Sequence, residues 1–339
     1  MKAIVIRAFG GPEVLRLEEV PTPEPGPGEV LIRVHAVSVN RTLDLNVRAG
    51  KYAVLPKLPH VLGTDPSGVI AAIGPEVTSR KVGDRVATTS VVRMPTPTTP
   101  MVALGVHVWG GYAEYVKVPA AITYIVPDNV DFPTATVVAR HAATAFSLLR
   151  DEAKLKAGEW VLIMGAAGGL GSAGIQVAKL LGAKIVVAAG SAERAAAALK
   201  LGGDAGVDYR HQDLAAEVQK ITGGVGVNVV FENIGDPDLF RQAVLSMARG
   251  GRLVTAGSHG GGIVPLDVSR LYLFNLTIIG SFGRNNPADV EASLRAAAEG
   301  RYKVVIDRVL PLGEAAEAHR IVAERAGIGK VILTPTKLS

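Results

Sequence analysis

Gly169, Gly171 and Gly174 stand in the spacing G-x-G-x-x-G directly after the apolar run Val161-Leu162-Ile163-Met164. The chemistry this spacing serves is pyrophosphate binding. Glycines let the backbone turn tightly and lie against the anion, while the helix that follows aims its N–H groups and positive dipole end at it. A strand before, a helix after and strand–helix alternation downstream make this a dinucleotide-binding turn rather than a structural glycine-rich one. The choice of dinucleotide is read about 20 residues on, where an NAD site places an acidic residue at the end of the second strand. That place holds Gly190-Ser191-Ala192-Glu193-Arg194. Ser191 can hydrogen-bond a ribose 2′-phosphate and Arg194 can neutralise it, whereas a strand-end carboxylate would repel it, so NADPH is the expected cofactor. The competing arrangement leaves Arg194 in solvent and turns Glu193 to the ribose.

Such a turn must be held by a parallel sheet. From Trp160 onwards the runs 161–164, 184–188, 227–231 and 252–256 have the length and apolar character of buried strands, and 276–280 adds a last one. Helical stretches at 192–201, 215–222 and 238–248 lie between them, which predicts a doubly wound α/β sheet covered on both faces. The first ~120 residues differ, with short strands cut by Pro and Gly at 30–34, 68–74, 84–87 and 112–118, a barrel-like β pattern. The opening run from Met1 to Arg7 suits an edge strand. The stretch 94–100, with three prolines, is a loop, because Pro lacks the N–H a ladder needs. After 287–299 (helix), the tail alternates strand 304–309, helix 313–326 and strand 330–333.

Composition narrows the classes. The chain has 339 residues, 48% hydrophobic and 20% charged, enough for two domains with sizeable cores. It has no Cys, which excludes disulfides, a thiolate nucleophile and every Cys-ligated metal. The net charge of +5 comes from dispersed residues, so no nucleic-acid-binding stripe is present. The start carries no signal-peptide pattern, and the uncharged stretch 161–178 holds five glycines and reads as strand, turn and helix rather than a membrane span. A cytoplasmic enzyme is the expectation.

Several ordered motifs then carry a resemblance: Gly10-Gly11-Pro12-Glu13-Val14-Leu15, 23–30 (Pro-Glu-Pro-Gly-Pro-Gly-Glu-Val), Leu62-Gly63-Thr64-Asp65-Pro66-Ser67-Gly68-Val69, Val82-Gly83-Asp84-Arg85-Val86, Gly110-Gly111-Tyr112-Ala113-Glu114-Tyr115, Thr144-Ala145 and Ala166-Ala167-Gly168-Gly169-Leu170-Gly171. Over nearly its whole length the sequence resembles the medium-chain dehydrogenase/reductase superfamily. The turn at 166–171 followed by Gln176 is most similar to its zinc-free quinone oxidoreductase branch. The resemblance implies a GroES-like β-barrel domain at 1–125, completed by 265–339, and a Rossmann domain at 126–264. It implies NADPH-dependent hydride transfer to a quinone or α,β-unsaturated carbonyl.

By the same resemblance the cofactor is met by Thr144, by Gly168, Gly169, Leu170 and Gly171 at the pyrophosphate, and by Gly190, Ser191, Arg194 and Tyr209 around the adenosine phosphate. Asn233, Gly257 and Ser258 follow along the strand ends, with Ser281, Phe282 and either Arg325 or Lys330 at the nicotinamide half or outer phosphate. Asn40 and Tyr52 match positions that place the nicotinamide and the substrate carbonyl, in a cleft also lined by Arg41, Asp44, Arg48, Thr64, Trp109 and Arg140-His141. Asp44 reads equally as a helix-capping carboxylate, and His141 as a proton relay or a lone buried histidine.

Zinc alcohol dehydrogenases of the superfamily are the rival. Where they carry Cys, a Gly-His-Glu motif and a later Cys or Asp, this chain has Asn40-Arg41, Gly63-Thr64-Asp65 and Arg140, so no metal is expected. Leu58-Pro59-His60-Val61-Leu62-Gly63 and the ending from His319 to Leu333 nevertheless resemble a zinc-type bacterial branch. A carbonyl reductase with lost metal sites is therefore one alternative, and a non-enzymatic NADPH-binding sensor or structural protein another. Hydride delivery needs only proximity and a donor on the carbonyl oxygen, which accounts for a site without an obvious base. The edge strand 276–280 leaves unpaired backbone groups that invite a second copy, giving a homodimer or homotetramer.

Overall fold

In the computed structural model the stretch 161–178 folds as its glycines predict, with strand Trp160–Met164, a tight turn and helix Gly169–Leu180. The structure describes residues 1–258, 260–281, 286–324 and 327–335. They form two units, Met1–Arg140 with Val290–Ser339, and His141–Asp289. Among the described residues no helix is long and apolar enough to cross a membrane.

The second unit is a six-stranded parallel sheet. Its order is 205–208, 184–189, 160–164, 227–232, 247–255 and 277–280, which in chain order within the sheet is 3-2-1-4-5-6. This is the doubly wound Rossmann order, whose switch point lies beside the first strand. The central strands are apolar and buried apart from Trp160 and Asn228, as a sheet covered on both faces requires. Helices 192–199, 214–221 and 237–245 each start on a side-chain cap, from Ser191, Asp213 and Asp236.

The first unit is built on a seven-stranded sheet in which Glu29–Ser38 is central. It pairs antiparallel with Ser67–Ile73, with Tyr115–Pro119 and, near its end, with Lys330–Thr334. Register shifts at Leu31/Ile32 and Val34/Ala36 let this long strand bend through the barrel-like core. Gly68 sits against that bend, where a Cβ would lie 2.0 Å from the Arg33 carbonyl oxygen. The tail returns as expected: Ile306–Pro311 and Lys330–Thr334 pair in parallel and extend this sheet, and helix Ala315–Glu324 buries Ala315, Ala318 and Ile321 in the same core. The architecture is a GroES-like domain plus a Rossmann domain.

Three expectations are corrected. Lys2–Ile6 is no edge strand but the middle of a three-stranded sheet, paired with Arg16–Glu19 and His60–Val61, and residues 3–6 are buried accordingly. Residues 265–289 do not complete the first unit, because Thr277–Gly280 pairs in parallel with Met247–Thr255. The boundary at 125/126 moves as well: the first unit continues through Arg140, since Ser67 donates to the Phe132 carbonyl and shares a hydrogen bond with Thr136.

Candidate functional site

In the second unit the phosphate turn has the required geometry. Gly165 has φ +60, and Gly168 is the helix N-cap in extended conformation with no side chain capping it. The first N–H groups of the helix therefore have no intrahelical partner and face outward from the turn. Gly171 packs so closely on Gly165 that a Cβ would lie 2.3 Å from its carbonyl oxygen. Asn233, at the end of the neighbouring strand, donates to the Met164 carbonyl at 2.8 Å and so ties the two strand ends together. Gly257 lies against Asn233, and Ser281 donates its N–H to the Thr255 carbonyl. Thr144 is buried on helix Phe132–Phe146. Phe282 and Arg325 lie outside the described residues.

One residue here was not legible from sequence. Glu232 is 1% exposed, and its carboxylate accepts the N–H groups of Ile234 and Gly235 and the Thr255 hydroxyl. It fixes the loop that carries Asn233 without having stood out by spacing.

At the end of strand Lys184–Ala189, Ser191 uses its hydroxyl to accept the Arg194 N–H at 3.2 Å, capping the next helix. Gly190 faces the Tyr209 hydroxyl and the Arg210 Nε, which lie 3.1 and 3.3 Å from where a Cβ would be. The missing side chain lets the phenol and the guanidinium pack close against the strand end, next to the start of helix Ala192–Leu199.

The first unit brings Asn40, Asp44, Thr64, Asp65 and Lys330 into one buried polar cluster. Asn40 precedes the helical turn Arg41–Leu45, and Asp44 reaches back to accept the Asn40 N–H at 2.7 Å. Its other oxygen accepts the Gly63 N–H at 3.2 Å. The capping reading of Asp44 is thus what the geometry shows, inside the cluster. Asp65 accepts the Ser38 N–H, the Ser38 hydroxyl and the Asn40 amide. Lys330, 7% exposed, donates to the Val39 carbonyl at 3.1 Å and to the Asn40 side-chain oxygen at 2.7 Å. Burial and, next, the charge of Asp65 push Asp44 up to about 7. Burial pushes Lys330 down to about 8, against the pull of both carboxylates.

Behind Asp44 runs a second chain. Arg48 donates to the Gly10 carbonyl and to His319 Nδ1, and His319 Nε2 lies 3.2 Å from the Tyr112 hydroxyl. Burial, reinforced by Arg48, pulls His319 down to about 3, so the ring is neutral. Arginine only donates; Nδ1 therefore accepts, Nε2 carries the proton and donates to Tyr112, and the phenol proton is left for Asp44.

Several residues expected along the cleft are held inside the first unit by this assembly. Asp44 and Thr64 are fully buried and Arg48 is 8% exposed, because each is spent on internal hydrogen bonds. Lys330, expected at the nicotinamide half or outer phosphate, donates to Asn40. Tyr52 packs half-buried against the core, and Trp109 is exposed with its Nε1 on the Pro59 carbonyl. Where zinc relatives place their ligands, this chain offers an amide, a hydroxyl and a guanidinium beside a lysine ammonium, a donor set that does not fit zinc.

Comparisons with known proteins agree with the fold. Residues 26–128 match the alcohol dehydrogenase GroES-like domain family, and residues 169–299 the zinc-binding dehydrogenase family. The chain is 33% identical to the quinone oxidoreductase of Homo sapiens over 340 residues, covering 98% of this chain and 97% of that one. It is 35% identical to an alcohol dehydrogenase of Geobacillus stearothermophilus, covering 92% and 93%. Among solved structures, an NAD-dependent alcohol dehydrogenase superposes with a TM-score of 0.90 at 37% identity, covering 99% of this chain and 100% of that one. Mycobacterial Rv1454c, complexed with NADPH, superposes with 0.83 at 31% identity, covering 99% and 100%. The fold and these matches define a two-domain oxidoreductase. The chain belongs to the medium-chain dehydrogenase/reductase superfamily and is quinone oxidoreductase-like within it.

Proposed function

We propose that this protein is an NADPH-dependent reductase that delivers hydride to a quinone or α,β-unsaturated carbonyl without zinc. The observation that carries the reading is the uncapped glycine turn at 168–171 together with Gly190, against which Tyr209 and Arg210 pack, followed by Ser191 and Arg194. Bound NADPH supplies the hydride. The helix N-terminus at Gly169 holds the pyrophosphate, and Asn233 and Glu232 keep the adjoining loop in place. In the first unit Asn40 is committed to Lys330, Thr64 and Asp65, so its part is to hold the Lys330 charge in place. Tyr52 remains the candidate donor to the acceptor's carbonyl oxygen, where negative charge builds as hydride arrives.

The names of the relatives support the acceptor class, and the NADPH complex of Rv1454c supports the cofactor. A second reading, reduction of a simple carbonyl to an alcohol, is favoured by the alcohol dehydrogenase relatives at 35% and 37% identity. The test is NADPH oxidation, with NADH in parallel, against quinones, enones and saturated ketones after exhaustive EDTA treatment. Turnover of quinone or enone with NADPH that survives the chelator is expected. Activity lost to EDTA and restored by zinc overturns the metal-free reading. Product analysis separates a saturated ketone or hydroquinone from an alcohol, and tight NADPH binding with no turnover assigns the protein a sensor or structural role.

The working form is a homodimer or its doubled tetramer, built on strand Thr277–Gly280, which ends the parallel sheet. Beside it in sequence Val268, Tyr272 and Leu273 are exposed by more than half, an apolar helix face that a second copy would cover. Light scattering at micromolar concentration reads at least twice the chain mass; a monomer sinks the assembly.

A further inference from the structure

We infer that Arg210 is a second cation reading the adenosine 2′-phosphate, a specificity-determining residue that acts opposite Ser191 and Arg194. The inference rests on the NADPH reading above and deepens it. Sequence spacing from the glycine turn reaches only the end of the second strand; Arg210 comes from the end of the third, which pairs in parallel with the second through Ala189 and Asp208. That pairing sets 209–212 alongside Gly190.

Three contacts hold the turn that carries Arg210. Asp208 accepts the Arg210 backbone N–H at 3.1 Å and the His211 ring at 2.8 Å, and the Asp208 N–H donates to Gln212 at 2.8 Å. The turn is thereby pinned with Arg210 directed over Gly190, its Nε 3.3 Å from the site of a Cβ. A side chain at 190 would press on the guanidinium and the Tyr209 phenol, so glycine there is what lets Arg210 lie so close to the strand end. Asp208 is itself 8% exposed and spent on these bonds, its carboxyl held below the usual range mainly by His211. It serves as the scaffold of the turn. Among the described residues no carboxylate pairs with the Arg210 guanidinium, which leaves its donors for a ligand. A phosphate monoester, with more than one acceptor oxygen, can take Arg194 on one side and Arg210 on the other.

The experiment is titration calorimetry on wild type, Arg210→Ala and Arg210→Lys with four probes: NADPH, NADH, 2′-AMP and 5′-AMP. Thermal melts confirm that each variant folds. For Arg210→Ala the ratio of NADH to NADPH dissociation constants is expected to fall by a factor of about 10 to 100. Affinity for 2′-AMP falls with it while that for 5′-AMP does not, and Arg210→Lys keeps part of the preference. An unchanged ratio overturns the inference, and so does equal weakening toward 2′-AMP and 5′-AMP, which would make Arg210 a support of the adenosine pocket. If the wild type itself binds NADH as tightly as NADPH, the cofactor reading fails before Arg210 is at issue.

Discussion

The Lys330 ammonium lies 2.7 Å from the Asn40 side-chain oxygen, joining strand Lys330–Thr334 to the turn that starts 290 positions earlier. This contact places one positive charge beside Asp44 and Asp65 in the core of the first unit. Hydrogen bonds and an ammonium thus hold together the segments 38–44, 63–65 and 330.

Lys330→Met removes that charge and leaves two buried carboxylates without their cation. Loss of one partner in such a cluster costs about 3 kcal/mol. Urea unfolding measures it, and Lys330→Met combined with Asp65→Asn recovers a substantial part. A single variant within about 0.5 kcal/mol of wild type would show the ammonium to be idle, since surface changes alone reach that size.

Asp44 and His319 impose opposite pH dependence. Asp44, raised from 3.8 to about 7, binds a proton in the folded state that the unfolded chain has released, so its contribution falls as pH rises from about 4 to 7. His319, lowered from 6.5 to about 3, binds its proton less readily when folded, so stability is lost as pH falls from 6.5 toward 3. The difference in unfolding free energy between wild type and Asp44→Asn isolates the first effect. It should shift against wild type progressively from pH 4 to 7; a difference constant across that window rejects the assignment.

Gly171→Ala drives a Cβ to 2.3 Å from the Gly165 carbonyl oxygen, against backbone that has no rotamer to yield. The overpacking costs about 1–3 kcal/mol and displaces the phosphate turn. Nicotinamide fluorescence titration is expected to show cofactor affinity lost by more than the melting temperature alone would explain; unchanged affinity would remove this turn from the site.

Glu232→Gln replaces an acceptor of three donors by a group that accepts with one oxygen only. The cost is about 1–3 kcal/mol. Amide exchange of Ile234 and Gly235 reads it locally and should accelerate; protection equal to wild type would mean that the loop is held by other contacts.

Much of the second unit was legible because its signals are local. The glycine spacing and the apolar runs each act within a few residues, and the strands they predict appear in the expected places. Glu232 escaped because a carboxylate at a strand end looks like any other until its loop folds back over it. Arg210 escaped because its position over Gly190 depends on the pairing of the second and third strands. In the first unit the sequence marked Asn40, Asp44, Thr64 and Lys330 as polar residues near a site, but gave no sign that Asp44, Arg48 and Thr64 are buried on internal hydrogen bonds.

The sequence by itself determined the class of fold, the strand–turn–helix around the glycines at 165–174 and the absence of thiolate chemistry, since these follow from short-range spacing and from which residue types are present. Only the tertiary structure decided that Lys330 meets Asn40, that Asp65 anchors both, and that His319, Tyr112 and Asp44 form one chain. The physical reason is that a buried charge must find its partners wherever the chain brings them, and here it brings them from opposite ends of the sequence.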